Sequence, residues 1–273
     1  AELFGIEKLQ EEKSKSLSAG FAVKIPKAGL SLSADAYFIR VDDRIILTEA
    51  FTRPAGNSPA QNELKQIFDQ ANVNTVQFFA NAVDVETKGI DVVVSHSLQA
   101  DKFTLNNDFA FNLTQTRKVG EIHTPRAIKA AGLEEKFFSE RSRVLLEEVI
   151  PRFKATLSHN LTIGKWSGYL RNTYYGKATG PDIIAADKRI GDFEFDERGH
   201  QVFHGKVITD LSVAYNFTPK TSLTLGVNNL LDLYPDKNVK ANSNNDQFVY
   251  SRATSQFGLN GRYVFLRATF NLF

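Results

Sequence analysis

The chain has 273 residues, and its 33 Lys and Arg against 31 Asp and Glu give a formal net charge of +2. This balance, without a basic tail, gives no reason to expect a nucleic-acid partner. The absence of Cys excludes disulfide bonds, thiolate metal sites and cysteine nucleophiles. A mean hydropathy of −0.26 does not exclude a membrane location, because only every second residue of a transmembrane strand faces lipid. The 22 Phe and 8 Tyr suit the aromatic girdles of a membrane barrel.

Nine segments alternate apolar and polar residues, the period of a β-strand with two different faces. In the first of them, Leu17, Phe21 and Ile25 share one face, and Ser18 and Lys24 lie on the other. In chain order the nine segments are 17–25, 30–38, 90–98, 103–114, 153–161, 166–176, 206–217, 222–228 and 264–270. The pattern predicts an all-β fold.

Short and long connections alternate between these strands. The short ones, at 26–29, 99–102, 162–165 and 218–221, are rich in turn residues, and the long ones lie at about 46–75, 117–150, 177–203 and 232–260. Connections in soluble domains usually have about 4–6 residues. Outer-membrane barrels combine short periplasmic turns with long extracellular loops. The alternation therefore predicts an antiparallel transmembrane β-barrel.

A soluble β-sandwich is the alternative, because its strands also alternate. Charged residues lie in the middle of several strands, such as Asp91, Asp210 and Arg267. They favour a barrel whose polar strand faces line a water-filled lumen over a soluble sandwich. Two long connections are also expected to contain a helix, Ala60 to Val73 and Leu133 to Val149, because apolar side chains recur on one side of each.

Four segments carry a resemblance to a known family. Val227 to Asp236 reads VNNLLDLYPD, and Phe257 to Phe273 reads FGLNGRYVFLRATFNLF. These resemble the NLFDxxYP signature and the last strand of TonB-dependent outer-membrane receptors. Phe78 to Val94 (FFANAVDVETKGIDVVV) and Leu30 to Ile45 (LSLSADAYFIRVDDRI) are similar to two further strands of that family. The residues that match the family motifs in the C-terminal quarter are Asn228, Asn229, Leu230, Asp232, Tyr234, Pro235, Gly261, Arg262 and Phe273.

The resemblance implies that residues 1–273 are the C-terminal part of such a receptor, the last nine or so strands of a plugged barrel of about 22 strands. The N-terminal plug and the early strands would then be absent. Bacterial single-chain barrels have an even number of strands. We therefore expect an open segment whose first and ninth strands each have an unpaired edge.

The resemblance also implies a function in the bacterial outer membrane. The receptor would bind a scarce nutrient at the cell surface. A ferric siderophore or similar metal chelate is the first expectation, and haem, cobalamin or a glycan ranks behind it. It would import this small molecule to the periplasm with energy from the TonB–ExbB–ExbD complex, which engages the absent N-terminal part. The barrel would contact the lipid bilayer, and its terminal Phe273 resembles the aromatic residue by which the barrel-assembly machinery recognises its substrates. Neither a cofactor nor a catalytic residue is expected, so the protein is not expected to be an enzyme.

Ligand contacts are expected from the long loops and from lumen-facing residues near them, and the candidates are Tyr169, Arg171, Tyr175, Lys206 and Arg262. No metal site is expected. His200 and His204 have the spacing of a helical metal pair, but flanking glycines indicate a loop. Asp42, Asp43 and Arg44 are interpreted as a salt bridge at a strand end. In a regular strand Phe273 would lie on the same face as Asn271 and opposite to the apolar Phe270. A bulge near Asn271 would therefore be needed to continue the apolar row.

Two other functions remain open from the sequence. One is a soluble β-rich module that binds carbohydrate or another ligand. The other is a smaller outer-membrane barrel, an adhesin or a lipase, although no Ser-His-Asp arrangement for a lipase is found in the sequence.

Overall fold

The computed structural model describes residues 1–243, 245, 247–254 and 256–271. Within them the strands, in chain order, are β1 (Lys13–Ile25), β2 (Leu30–Leu47), β3 (Phe51–Thr52), β4 (Thr75–Val76), β5 (Phe79–Ala100), β6 (Phe103–Val119), β7 (Phe153–Ile163), β8 (Trp166–Tyr175), β9 (Ala178–Ile183), β10 (Glu194–Phe195), β11 (His200–Phe203), β12 (Lys206–Thr218), β13 (Thr221–Asn228) and β14 (Tyr263–Phe270). The α-helices are α1 (Pro59–Ala71), α2 (Arg126–Ala130) and α3 (Glu140–Glu147). None of the helices in these residues is long and apolar enough to cross a membrane.

The nine long strands form one sheet in the order β1-β2-β5-β6-β7-β8-β12-β13-β14. These are the nine segments predicted from the alternation, and the predicted short turns join them pairwise. The strand pairs from β6 to β14 are antiparallel. β1 and β14 end this order, so each has one strand neighbour among the residues that the structure describes. This open order agrees with the expectation for a barrel segment.

The apolar rows of the sheet stay exposed. Trp166 of β8 pairs with Tyr215 of β12, and their rings make an edge contact with centroids 4.8 Å apart. Further along this face, Leu225 is 56% and Leu266 is 67% exposed. Among the residues that the structure describes, this apolar face is largely uncovered, as lipid-facing strands require.

The end of β14 bears on the expected bulge. The strand ends at Phe270, and the N–H of Asn271 donates to the carbonyl of Lys220 at 2.8 Å. Phe273 lies outside the described residues, so the register of the last turn stays a prediction.

One compact unit consists of Ala1–Leu17, Phe38–Lys88 and Gln115–Glu147. It has an apolar core that is built mostly from connecting segments and includes Phe4, Phe51, Leu64, Phe68, Phe78, Ile128 and Phe137. Helix α1 confirms the helix predicted over residues 60–73. It begins with a capping box of Ser58 and Gln61, and it buries Leu64 and Phe68.

The helix predicted from Leu133 to Val149 is shorter in the structure. A 3₁₀ turn at Glu134–Lys136 precedes α3, which ends at Glu147. Helix α2 was not predicted, because its five residues are too few to show a helical period. Its Ile128 is nevertheless fully buried in the core of the unit.

The second compact unit consists of Ser18–Tyr37, Gly89–Thr114 and Glu148–Phe273. In its long connections the short strands form a three-stranded sheet in the order β10-β11-β9. The Gln201 side chain of β11 donates to the carbonyl of Lys237 at 2.7 Å and accepts from the N–H of Val239 at 2.9 Å. The connections at 177–203 and 232–260 are therefore packed together and are not loose loops.

Candidate functional site

Four of the five predicted ligand-binding residues lie together on the polar face of β8 and β12. Tyr169, Arg171 and Tyr175 are alternate residues of β8, and Lys206 of β12 is the register partner of Tyr175. On the other side of Tyr175, its register partner is Lys154 of β7. We call these residues and Asp210 the polar row: Lys154, Tyr169, Arg171, Tyr175, Lys206 and Asp210.

Tyr175 lies between Lys154 and Lys206 at one end of the polar row. The Nζ of Lys154 lies 5.0 Å from the centroid of its ring, within the range of a cation–π contact. Phe257, from the last long connection, packs on the same ring with centroids 5.5 Å apart. The alternation of β7 indicates that Lys154 is on a polar face, but no local pattern brings Phe257 to this position.

Arg171 is held by an ion pair within the row. Its Nη2 and Nε donate to Oδ2 of Asp210 at 2.6 and 3.0 Å. The other oxygen of Asp210 accepts the backbone N–H of Asn229 at 2.8 Å. Because its guanidinium already has a carboxylate partner, Arg171 is better suited to positioning the row than to contacting a ligand directly.

Lys206 belongs to a chain of charged groups that we call the His204 clasp. Its Nζ lies 2.7 Å from Oδ1 of Asp236. Oδ2 of Asp236 accepts from both the N–H and the Nδ1 of His204 at 2.7 Å, and the Nε2 of His204 lies 2.7 Å from Oε2 of Glu194. The clasp joins β10, the start of β12 and the last long connection.

The clasp sets the protonation of its members. Hydrogen bonds to Asp236 and then to Glu194 raise the pKa of His204, against the smaller opposing effect of burial. Burial alone would raise the pKa of Asp236, but hydrogen bonds from Lys206 and His204 lower it. Both shifts favour the charged forms of His204 and Asp236.

The predicted motif residues that follow β13 build a tight turn. Asn229 adopts a left-handed conformation with φ of 50°. Its side-chain amide donates to the carbonyl of Leu233 at 2.7 Å and its Oδ1 accepts from the N–H of Leu233 at 2.9 Å. The N–H of Leu230 donates to the carbonyl of Thr209 on β12.

Pro235, which follows this turn, is buried. Asn228 is the last residue of β13 and the register partner of Tyr263.

The fifth predicted ligand residue, Arg262, lies in this turn region and has no register or hydrogen-bond link to the polar row among the described residues. Its N–H donates to Oδ1 of Asp232 at 2.7 Å. Tyr234 packs beside Gly261 and stacks on Tyr250, with centroids 6.2 Å apart. The motif residues around Arg262 therefore connect two strand ends, and Arg262 remains a prediction as a ligand contact.

Of the two histidines considered as a pair from the sequence, His204 belongs to the clasp that contains Lys206. His200 begins β11, and His204 follows its end, so the two do not form a helical pair. Two further histidines, His96 of β5 and His159 of β7, both hydrogen-bond Asn107 of β6, at 3.2 and 2.6 Å. The salt bridge expected at a strand end from Asp42, Asp43 and Arg44 differs in the structure, because Asp42 lies inside β2 and pairs with Arg40 at 2.6 Å.

A sheet of antiparallel neighbours with an exposed apolar face, a polar opposite face and structured long connections is the wall of a transmembrane β-barrel. A family model described as "TonB dependent receptor-like, beta-barrel" matches residues 1–230. The chain belongs to this family of TonB-dependent receptors, and it is part of an outer-membrane barrel. This result favours the barrel over the soluble binding module. No curated protein matches the sequence.

Solved structures with a similar fold agree with the family. They include the FrpB iron transporter from Neisseria meningitidis (F3-3 variant), with a TM-score of 0.56, 15% identity, and coverage of 95% of this chain and 31% of FrpB. The copper transporter OprC has a TM-score of 0.55 and 16% identity, over 97% of this chain and 32% of OprC. P. aeruginosa FpvA, in a structure with bound heterologous pyoverdine, has a TM-score of 0.51 and 12% identity, over 96% and 27%. At these identities the likeness shows the fold alone, and the chain spans about a third or less of each protein.

Proposed function

We propose that the protein is an outer-membrane receptor that binds a ferric siderophore or a similar metal chelate at the cell surface and imports it to the periplasm. Membership of the TonB-dependent receptor family supports this function, because the family model matches residues 1–230. Three proteins of similar fold are described as an iron transporter, a copper transporter and a pyoverdine-bound protein. The function is transport, so no residue of this chain is assigned a catalytic role.

The observation that carries the choice of ligand class is the surroundings of Tyr175. Lys154 and Lys206 are its register partners on the two sides, and Phe257 adds a second ring. Aromatic rings beside an ammonium group suit an anionic chelate, since the rings provide contact area and Lys154 provides charge, whereas the charge of Lys206 is already paired with Asp236. We therefore assign the ligand contact to Lys154, Tyr175 and Phe257, and a positioning role to Arg171.

The energy for import would come from the TonB–ExbB–ExbD complex in the inner membrane. We propose that an N-terminal plug and earlier strands, which lie outside residues 1–273, complete the barrel and contact TonB. We also propose that Phe273 is the terminal aromatic residue that the barrel-assembly machinery recognises. Removal of Phe273 should then lower the amount of folded receptor in the outer membrane without changing transport per folded molecule.

The test is uptake by cells that carry the full-length receptor as their main route for iron. Radiolabelled iron is supplied as a ferric hydroxamate, a ferric catecholate or ferric citrate, and haem and cobalamin are supplied separately. We expect one chelate to depend on the receptor and Tyr175→Ala to reduce its uptake at least about tenfold. Lys154→Ala should also reduce this uptake. Its matched control is Lys165→Ala, because Lys165 lies in a short turn and donates to the carbonyl of Phe217. If cells with the receptor take up every probe no faster than cells in which the receptor gene is deleted, the proposed function is contradicted.

A further inference from the structure

Asp43, near the end of β2, is held in an unusual backbone conformation beside β5. Its φ is 57°, in the left-handed region that non-glycine residues rarely adopt. The amide of Asn81 donates to the carbonyl of Asp43 at 2.6 Å, and the N–H of Asp43 donates to Oδ1 of Asp84 at 3.0 Å. These two bonds fix Asp43 next to the carboxylate of Asp84.

A third metal-ligating side chain reaches the same point from the segment after β6. One ligand atom from each of Asp43, Asp84 and His123 lies within 4.8 Å of the other two. Oδ1 of Asp43 and Nδ1 of His123 are 3.5 Å apart. Bonds of about 2.0–2.2 Å to a tetrahedral ion place neighbouring ligand atoms about 3.3–3.6 Å apart, so this pair already has the spacing of two ligands of one ion.

The ion pairs around the cluster include one more carboxylate than cations, and Lys13 adds a further positive charge near Asp42. Four carboxylates belong to the surrounding ion-pair network, against three cations: Asp42, Asp43, Asp84 and Glu86 against Lys15, Arg40 and Arg117. Arg40 is shared among Asp42, Asp84 and Glu86. Among the described residues, the only ion-pair partner of Asp43 is His123. Each carboxylate oxygen of Asp84 has a further lone pair after its present hydrogen bond.

Space for the remaining ligands of an ion adjoins the cluster. Asp43 and His123 line a cavity of about 480 Å³, whose wall also includes Asn81 and Thr124. The Oγ1 of Thr124 is buried and has no hydrogen-bond partner among the described residues. The cavity therefore has room for water molecules as further ligands of an ion.

We propose that Asp43, Asp84 and His123 bind one divalent transition-metal ion, with water or a hydroxyl in the remaining positions. One imidazole with two carboxylates is a ligand set for ions such as Zn²⁺ or Fe²⁺, and it differs from the all-oxygen set that Ca²⁺ prefers. The ion would connect β2 and β5 to the long connection after β6, all within the first compact unit. This site goes beyond the proposed transport of a chelate and does not depend on it.

The experiment measures Zn²⁺ binding to the detergent-purified full-length receptor by isothermal titration calorimetry, for the wild type, His123→Asn and Asp43→Asn. We expect both variants to lose one equivalent of Zn²⁺ or to bind it at least about tenfold more weakly. Asp42→Asn is the matched control, because Asp42 is the neighbouring carboxylate and pairs with Arg40. It should keep the wild-type stoichiometry. Equal Zn²⁺ binding by the wild type and His123→Asn would overturn the proposal.

A second measurement does not require any variant to fold. Diethylpyrocarbonate modifies accessible imidazoles, and the side chain of His123 is 41% exposed. Mass spectrometry of the wild-type receptor should show that Zn²⁺ protects His123 from modification, while Mg²⁺ at the same concentration does not. Equal modification of His123 with and without Zn²⁺ would also overturn the proposal.

Discussion

The ring of Tyr234 lies against the α-carbon of Gly261, so that a Cβ at position 261 would be 2.6 Å from the Cζ of Tyr234. Gly261 also has a φ of +63°, which disfavours any other residue. Beside this contact, Asp232 accepts the N–H of Arg262. Asp232 and Arg262 are 30 residues apart in sequence. The two family motifs that contain them are therefore in contact at this turn.

Replacement of Gly261 by Ala should loosen this turn. The collision with Tyr234 and the positive φ together should cost about 1–3 kcal/mol. Gly258→Ala is the matched control, because a Cβ there meets nothing within 4 Å. The measurement is limited proteolysis of the connection at 232–260 in the folded full-length receptor. If Gly261→Ala is cleaved no faster than Gly258→Ala, the contact does not hold the turn.

Phe68 of α1 should be essential for the core of the first compact unit. Its side chain is 0% exposed, and it makes an edge contact with Phe4 at 4.9 Å between centroids. Phe68→Ala should destabilise the unit by about 3–5 kcal/mol. Hydrogen exchange of α1 measures this effect, and Phe79→Ala is the control because Phe79 is 60% exposed. Unchanged exchange protection in Phe68→Ala would show that α1 is held by other contacts.

The His204 clasp should make the packing of the last two long connections depend on pH. The pKa of His204 is raised from its ordinary 6.5 in the folded state, first by Asp236 and then by Glu194. A raised folded pKa means that the stabilisation is complete below pH 6.5 and is lost as pH rises through the folded value. Protease cleavage within 177–205 should therefore increase with pH above that range.

The variant His204→Gln separates this effect from the pH dependence of the protease. It keeps hydrogen-bonding capacity but has no charge to lose, so its cleavage rate should show only the pH dependence of the protease over the same range. The lowered pKa of Asp236, whose ordinary value is 3.8, keeps its carboxylate charged throughout. The same pH dependence in His204→Gln as in the wild type would exclude the clasp as its cause.

The ion pair of Arg171 and Asp210 should contribute to stability but only modestly. The side chain of Arg171 is 44% exposed and that of Asp210 is 13% exposed, so solvent screens part of the attraction. A double-mutant cycle with Arg171→Ala and Asp210→Ala should give a coupling of about 0.5–1 kcal/mol. Urea unfolding of the receptor in detergent measures it. Strictly additive effects of the two substitutions would show that the pair is not coupled.

Much of the sheet could be predicted from local pattern. Each strand from 17–25 to 264–270 has an apolar row and a polar row, as expected for a barrel wall between lipid and water, so the alternation is present in every segment by itself. Helix α1 was predictable for the same reason, since its buried Leu64 and Phe68 have helical spacing. Of the candidate site, the alternation of β8 correctly placed Tyr169, Arg171 and Tyr175 in one row.

The tertiary structure decided the contacts between distant residues. Phe257 on Tyr175, Asp236 on His204 and His123 beside Asp43 each join a long connection to a strand, and no periodic pattern fixes how such a connection folds. The short strands β9, β10 and β11 were missed because two to six residues carry too little alternation to be recognised. The sequence by itself determined the strands and their faces, because lipid and water act on each residue locally. The positions of the candidate site residues that come from the long connections depend on how these connections pack together, and only the tertiary structure shows that packing.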